Sequence, residues 1–439
     1  MPEAGKNGSA PGAEYVDDKY DIVFFWKQND TGIYGRRQHM LVKYLSEMPR
    51  INKIVHFDAP IDAKTLFSLQ DREENSGTDQ SNLVFLQTIS RLLGEKDSEK
   101  VKYYTYVRNL EYLRDRSRNS RTGGWSSEER QDHLQYLADV LEENGIGERR
   151  TIFWVCPTTN FDFREVAASF NPDLIVADVI DDQRAWKDAD SPQRAAQGKI
   201  YEQILSLSDV TLANCEPVRQ SMLEYSDDVR IVPNALELPE DDADPGSPEE
   251  LRGLEGPIIG YVGNLSSRID IDLLEHVAVS RPDWNLVLIG STHLSTEILR
   301  LDVYDNVHFL GVKKYDEARQ YIKVFDVAMV PHLENEMTRS MNPLKVFVYF
   351  SLNVPVVSTE IENLGEMRDM VHVARDREDF VRKTELALRE ERNGSLSAEH
   401  MELLRRNSWE DRVETIMQII EEELFATVQD SPRSLYGNH

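Results

Sequence analysis

Three loops in the C-terminal half carry residues whose types and order suit phosphate or sugar handling. In Tyr261-Val-Gly-Asn-Leu-Ser-Ser-Arg268 a glycine follows a strand-like run and precedes a helical one. The backbone at Gly263 and Asn264 can then approach a ligand closely, and the next helix offers free N–H groups to an anion. Arg268 closes the loop with a forked guanidinium suited to a diphosphate. Leu286-Val-Leu-Ile-Gly290 is a second strand pattern ending in glycine; alone it shows only a βα turn. In Asn342-Pro-Leu-Lys345 the proline is well placed for a helix start. Lys345 then falls in a first turn, where the helix dipole disfavours a cation. An anion beside it would account for that, and so would plain solvation of a surface lysine.

The N-terminal half offers fewer such residues. Asp181 and Asp182 are adjacent, so they cannot share a strand face as a hydrolase-type carboxylate pair. One of them can orient or deprotonate a hydroxyl; an acidic helix start explains both equally. Trp186 follows as a possible face for sugar stacking. His39, His56 and His332 read as structural or solvated. Cys156 and Cys215 are too few for a disulfide framework and have no metal-site spacing. Arg108, Arg114, Arg116, Arg118 and Arg121 form a local basic cluster, either a solvated loop or a contact for a phosphorylated acceptor or a membrane surface.

These residues need a scaffold, and the hydrophobic pattern supplies one. Short apolar runs at 20–26, 53–58, 101–107, 151–156, 174–180, 210–213 and 229–232 read as buried parallel strands. Helical stretches at 36–47, 129–143 and 192–207 lie between them. The acidic, proline-broken segment 237–256 reads as a linker. Beyond it strands recur at 257–263, 285–289, 307–310, 327–330 and 354–357, with a helix at 271–280, and 398–428 is largely helical. Alternating strands and helices predict an α/β fold with parallel sheets in two units; 71–81 reads as a polar loop.

Composition narrows the function classes. The 439 residues hold 50 basic against 78 acidic side chains, a net charge of −28. Nucleic acid needs a basic footprint and is not expected as a partner. No stretch approaches the roughly 20 apolar residues of a membrane span, and the N-terminus lacks the apolar core of a secretory signal. A cytoplasmic protein is expected, with at most peripheral contact at the inner face of a membrane.

Five segments taken together carry a family resemblance: Gly260–Asp270, Arg281–Gly290, Asn306–Gly311, Phe325–Pro331 and Met341–Lys345, in register over about 100 residues. They resemble the donor-binding domain of GT-B glycosyltransferases of family 4, the retaining nucleotide-sugar group. The N-terminal half is similar more loosely, through Gly32, Gly35 and Arg36-Arg-Gln-His39, Asp178–Trp186, Ser208–Asn214 and Ile231–Ala235. The resemblance implies two Rossmann-like domains facing a cleft: an acceptor-side domain at 17–236, a linker at 237–256, a donor domain at 257–396 and helices at 397–429 crossing back. The tails 1–16 and 430–439 are expected to be disordered.

By position, the resemblance makes Arg268 and Lys345 a clamp on the donor diphosphate, with Gly263, Asn264, Gly290 and Asn342 lining it. Leu310 and Gly311, within Phe309–Val312, would face the base. Asp182 would act on the acceptor hydroxyl, with Gly32, Gly35, Asp181 and Trp186 on the acceptor side. The implied partners are a UDP- or GDP-linked sugar donor and a carbohydrate or lipid-linked acceptor, with neither metal nor cofactor.

The pattern breaks at three places. Val348 stands where the family has a Glu that accepts from the nucleotide ribose, and Ser340 where many relatives carry another Glu; Asn353 replaces a Gly. Loss of a charge-assisted ribose contact costs about 1.5–3 kcal/mol if nothing replaces it. A degenerate GT-B protein serving as a partner or scaffold is therefore the alternative to an enzyme. An epimerase or phosphorylase of the same fold is a third reading.

Overall fold

Runs of fully buried Val, Ile and Phe build strands covered on both faces. Tyr20–Lys27 (β1) is the central example, with Ile22, Val23, Phe24 and Phe25 wholly inaccessible. The computed structural model describes residues 15–27, 33, 35–68, 78–95, 97–113, 125–157, 163–186, 191–238, 246, 248–292, 295–360, 362–390 and 397–430. Among these, β1 joins Ile51–Asp58 (β2), Val101–Tyr104 (β3), Arg150–Val155 (β4), Leu174–Val179 (β5), Val210–Ala213 (β6) and Arg230–Ile231 (β7). Every pairing is parallel, in the order β3-β2-β1-β4-β5-β6-β7. A second parallel sheet holds Ile258–Val262 (β8), Asn285–Ile289 (β9), Val307–Phe309 (β10), Val327–Val330 (β11), Val356–Ser358 (β12) and Val371–Val373 (β13). Its order is β10-β9-β8-β11-β12-β13. Both sheets reverse direction beside their first strand, which opens a crevice at the strand C-termini.

Three details differ from the sequence pattern. The run 101–107 splits: Val101–Tyr104 stays in the sheet, while Val107–Arg108 pairs with Ile61–Asp62 in a separate ribbon. Helices Thr78–Leu92 and Phe163–Phe170 and strand β13 are additional; the polar stretch 71–81 thus gives way to helix at Thr78. Asn353 stands where the resemblance expects glycine, and it takes the left-handed conformation, φ +54°, that ends a helix there. Asparagine tolerates that region better than most residues.

The two units are joined at several points. Arg37–Glu47 (α1) packs against Trp409–Asp430 (α3), whose Val413, Ile416 and Ile420 enter the core formed by Met40, Leu41, Ile22 and Phe24. Between these helices in sequence, Leu344–Ser351 (α2) buries every residue from Val346 to Ser351. Glu237 gathers Lys43 (2.5 Å), Tyr44 (3.3 Å), Tyr315 (2.5 Å) and Arg319 (3.1 Å). Burial opposes its ionisation, but hydrogen bonds from Lys43 and Tyr315 outweigh that and hold its carboxyl below the usual range. Tyr315 also lies against Gly35, which has φ +59°; a Cβ there would collide with the ring.

Candidate active site

α2 fixes Lys345 from below. Because the helix is apolar nearly all round and wholly packed beyond its first turn, the Lys345 side chain is held at the crevice. Its Nζ lies 3.4 Å from His332 Nε2 and 4.9 Å from the centre of the Tyr261 ring. The Gly263 loop covers it: a Cβ at Gly263 would stand 3.5 Å from Nζ. Among the described residues no carboxylate comes within ion-pair distance of this amine. Burial first, and the nearby Arg268 charge second, press its pKa down to about 7, with Asp181 acting in the opposite sense. Buried His332 is held well below its ordinary value by burial, then by Lys345 and Arg268. Burial pushes Tyr261 up to about 12.

Arg268 reaches the same place from the loop after β8. Backbone hydrogen bonds tie that loop to the end of β11: Asp270 N to Pro331 O (2.8 Å) and Leu333 N to Arg268 O (2.8 Å). The Arg268 guanidinium lies 5.0 Å from the centre of the Trp186 ring, donates to Ser266 Oγ at 3.2 Å and approaches Met341 Sδ at 3.9 Å. Trp186 belongs to the N-terminal unit, in the short helical turn Gln183–Trp186. Two further contacts span the crevice here: Arg194 to Glu336 (2.8 Å) and Cys215 Sγ to the Ser340 carbonyl (3.4 Å). Residues of both units therefore meet around Arg268.

The glycine turns serve backbone packing first. Gly263 and Gly290 have φ of +146° and +151°, and a Cβ on Gly290 would run into the Gly263 carbonyl. Gly263 N donates to Ile289 O (2.9 Å), Gly290 N to Gly311 O (2.8 Å) and Leu310 N to Leu288 O (3.0 Å). The Asn264 carbonyl accepts from Tyr261 Oη at 3.3 Å. Gly290, Leu310 and Gly311 thus stack the loops at the ends of β8, β9 and β10.

Other predicted residues are engaged elsewhere. Asp182 accepts from Arg184 (2.9 Å) and Ser221 (2.6 Å). Burial opposes its charge, but those two partners hold the carboxyl below its usual range. Of the acidic pair, Asp181 is the one whose field reaches Lys345. It adopts φ +58° and exchanges hydrogen bonds with Asn214 at 2.8 and 3.3 Å. The Asn342 side chain accepts from Asn234 N (2.8 Å) and donates to the Asn363 carbonyl (2.5 Å), so it joins the two units. Gly35 supports the Tyr315 contact, and Gly32 lies outside the described residues. Val348 is buried in the core around α2. The sequence reading took His332 as structural or solvated; its signal was a histidine two residues beyond the buried strand that ends at Val330.

Two Rossmann-like sheets sharing one crevice define the GT-B architecture. Residues 256–390 match the model of the family described as glycosyl transferases group 1, and they form a domain of that family. Over 147 residues the chain is 26% identical to TuaH of Bacillus subtilis (strain 168), described as a teichuronic acid biosynthesis glycosyltransferase. That match spans 32% of this chain and only 36% of the relative. In fold the chain is similar to sucrose-phosphate synthase from Thermosynechococcus elongatus, at 14% identity over 93% of this chain and 99% of that one, TM-score 0.59. It is also similar to Anabaena HepE in complex with UDP and glucose, at 12% identity over 91% and 99% of the chains, TM-score 0.56. Among the described residues no helix is long and apolar enough to cross a membrane.

Proposed function

We propose that this chain transfers a sugar from a nucleotide-sugar donor to an acceptor hydroxyl, with retention of configuration, in the synthesis of a polysaccharide or glycoconjugate. The observation that carries this reading is Lys345: a half-buried amine beside Arg268, with no carboxylate in ion-pair reach among the described residues. A buried cation without a counter-ion is costly, and an incoming diphosphate would remove that cost. In the transfer, the bond from the anomeric carbon to the donor phosphate breaks and its electron pair leaves with the nucleoside diphosphate. Arg268 and Lys345 face the charge that develops there. Asp181 stands on the opposite wall, where the acceptor hydroxyl would enter, and Trp186 supplies an apolar face over the pocket. The domain match and the UDP-bound fold relative support a nucleotide-linked donor.

The test is a donor screen, with UDP- and GDP-linked hexoses assayed for release of the nucleoside diphosphate. Release with one donor and an acceptor, unaffected by EDTA and giving a product of unchanged anomeric configuration, is expected. EDTA-sensitive turnover or an inverted linkage would contradict the proposal. The burial of Val348 where the resemblance expects a ribose-binding Glu favours one second reading, a nucleotide-binding scaffold. UDP binding without turnover on any donor would select it.

A further inference from the structure

We propose that His332 is a positioning residue of this anion site: its Nε2 accepts a hydrogen bond from Lys345 Nζ and aims the amine, and an arriving diphosphate draws a proton from solvent onto whichever fraction of that amine is neutral. The inference rests on the donor-site reading above.

The backbone of His332 is fixed from three sides. Its N–H donates to Val330 O (3.0 Å), its carbonyl accepts from Thr359 Oγ1 (2.6 Å), and it bridges Ile269. With the backbone held, the imidazole lies edge-on to the Tyr261 ring, centres 6.3 Å apart, and presents Nε2 to the more flexible lysine side chain. To accept at Nε2, His332 must be neutral with its proton on Nδ1. The groups facing Lys345 are Tyr261 from β8, Arg268 from the loop after it, His332 from the end of β11 and Asp181 from the opposite unit. One carboxylate at a distance does not balance Arg268 and Lys345 together, so the amine holds its proton more weakly than a solvated lysine and is about half charged near pH 7. A diphosphate reverses that balance. The proton adds to the Nζ lone pair and comes from water or buffer. His332 also lines a cavity of about 230 Å³ with Asp270, Thr359 and Arg375.

The experiment is isothermal titration of the full chain with UDP, in buffers of differing protonation enthalpy. With the amine titrating near pH 7, uptake should be about 0.1 proton at about pH 6, about 0.5 at about pH 7 and about 0.9 at about pH 8. Lys345→Met should abolish the uptake. His332→Leu, which fills similar space without an acceptor, should weaken UDP about tenfold at about pH 6, and His332→Gln should restore most of the loss; melting temperatures check both folds. Binding without proton uptake by the wild type, uptake that survives in Lys345→Met, or equal affinities for the Leu and Gln variants would each overturn the proposal while leaving the donor site standing. A folded wild type that binds neither UDP nor GDP would overturn the donor-site reading and this inference with it.

Discussion

Arg37 and Lys345 each lie in the first turn of a helix, one in each unit, and each is a cation where the helix dipole is unfavourable. Their surroundings differ. Arg37 is 2% exposed; its Nε lies 3.0 Å from Asp178 Oδ2 and its Nη1 donates to the Pro233 carbonyl at 3.0 Å. Lys345 has an imidazole at 3.4 Å and an aromatic face, and no carboxylate in reach among the described residues. A matched cation ties the first helix to the sheet and to the segment leading into the second unit. An unmatched one has donors without a counter-charge, which the proposed diphosphate would supply. Side-chain type and helix position are alike in the two cases; the counter-charge separates structure from binding.

Breaking the matched pair should have the largest effect. Asp178→Ala leaves Arg37 buried without its counter-charge and should cost about 3–5 kcal/mol of stability by denaturant unfolding. A loss under 1 kcal/mol would remove the contrast. Removing the unmatched charge should act in the other direction. Lys345 titrates near 7 in the folded chain, below its ordinary value, so its charged form penalises folding fully below about pH 7, and the penalty fades as pH rises toward about 10.5. Lys345→Met should therefore raise the melting temperature most at about pH 6, with the gain shrinking under alkaline conditions; a lowered melting temperature at about pH 6 would contradict this. Asn342→Ala breaks the bond to Asn234 N and should cost about 1–3 kcal/mol, with turnover lowered because Lys345 lies three residues away. Unchanged stability and turnover would show that this joint is not needed. The smallest effect is expected from Val348→Glu. If the pocket still receives a ribose, the new carboxylate should tighten UDP up to about tenfold, while its burial in the core around α2 lowers the stability of the unliganded chain. Weaker binding would show that the ribose lies elsewhere.

The sheets were legible because buried parallel strands are written as unbroken apolar runs, such as Tyr20–Trp26 and Leu174–Ile180. Helix Thr78–Leu92 was not, since it begins in a polar stretch without a clear start signal. The site was legible only in part. Lys345 and Arg268 were candidates through strand–turn context and family resemblance, and the fold brings them to one place. His332 did not, because its part depends on a contact across thirteen residues and on burial, neither of which has a local pattern. Asn342 and Asp182 were read toward ligand, and in the fold both have partners within the chain: polar residues near a motif can bind ligand or close the fold, and no local pattern separates the two. Asn234 answers one of them; Arg184 and Ser221 answer the other.

The most direct test of the unmatched-cation account is UDP titration of the wild type, Lys345→Ala, Arg268→Ala and the double variant at about pH 6.5, with turnover measured alongside. The account predicts that Lys345→Ala loses at least tenfold in affinity and about a hundredfold or more in turnover, because charge on the leaving group grows toward the transition state. Arg268→Ala should follow in the same direction, and the double variant should lose less than the two single losses combined. Wild-type affinity and turnover in a folded Lys345→Ala variant would contradict the account.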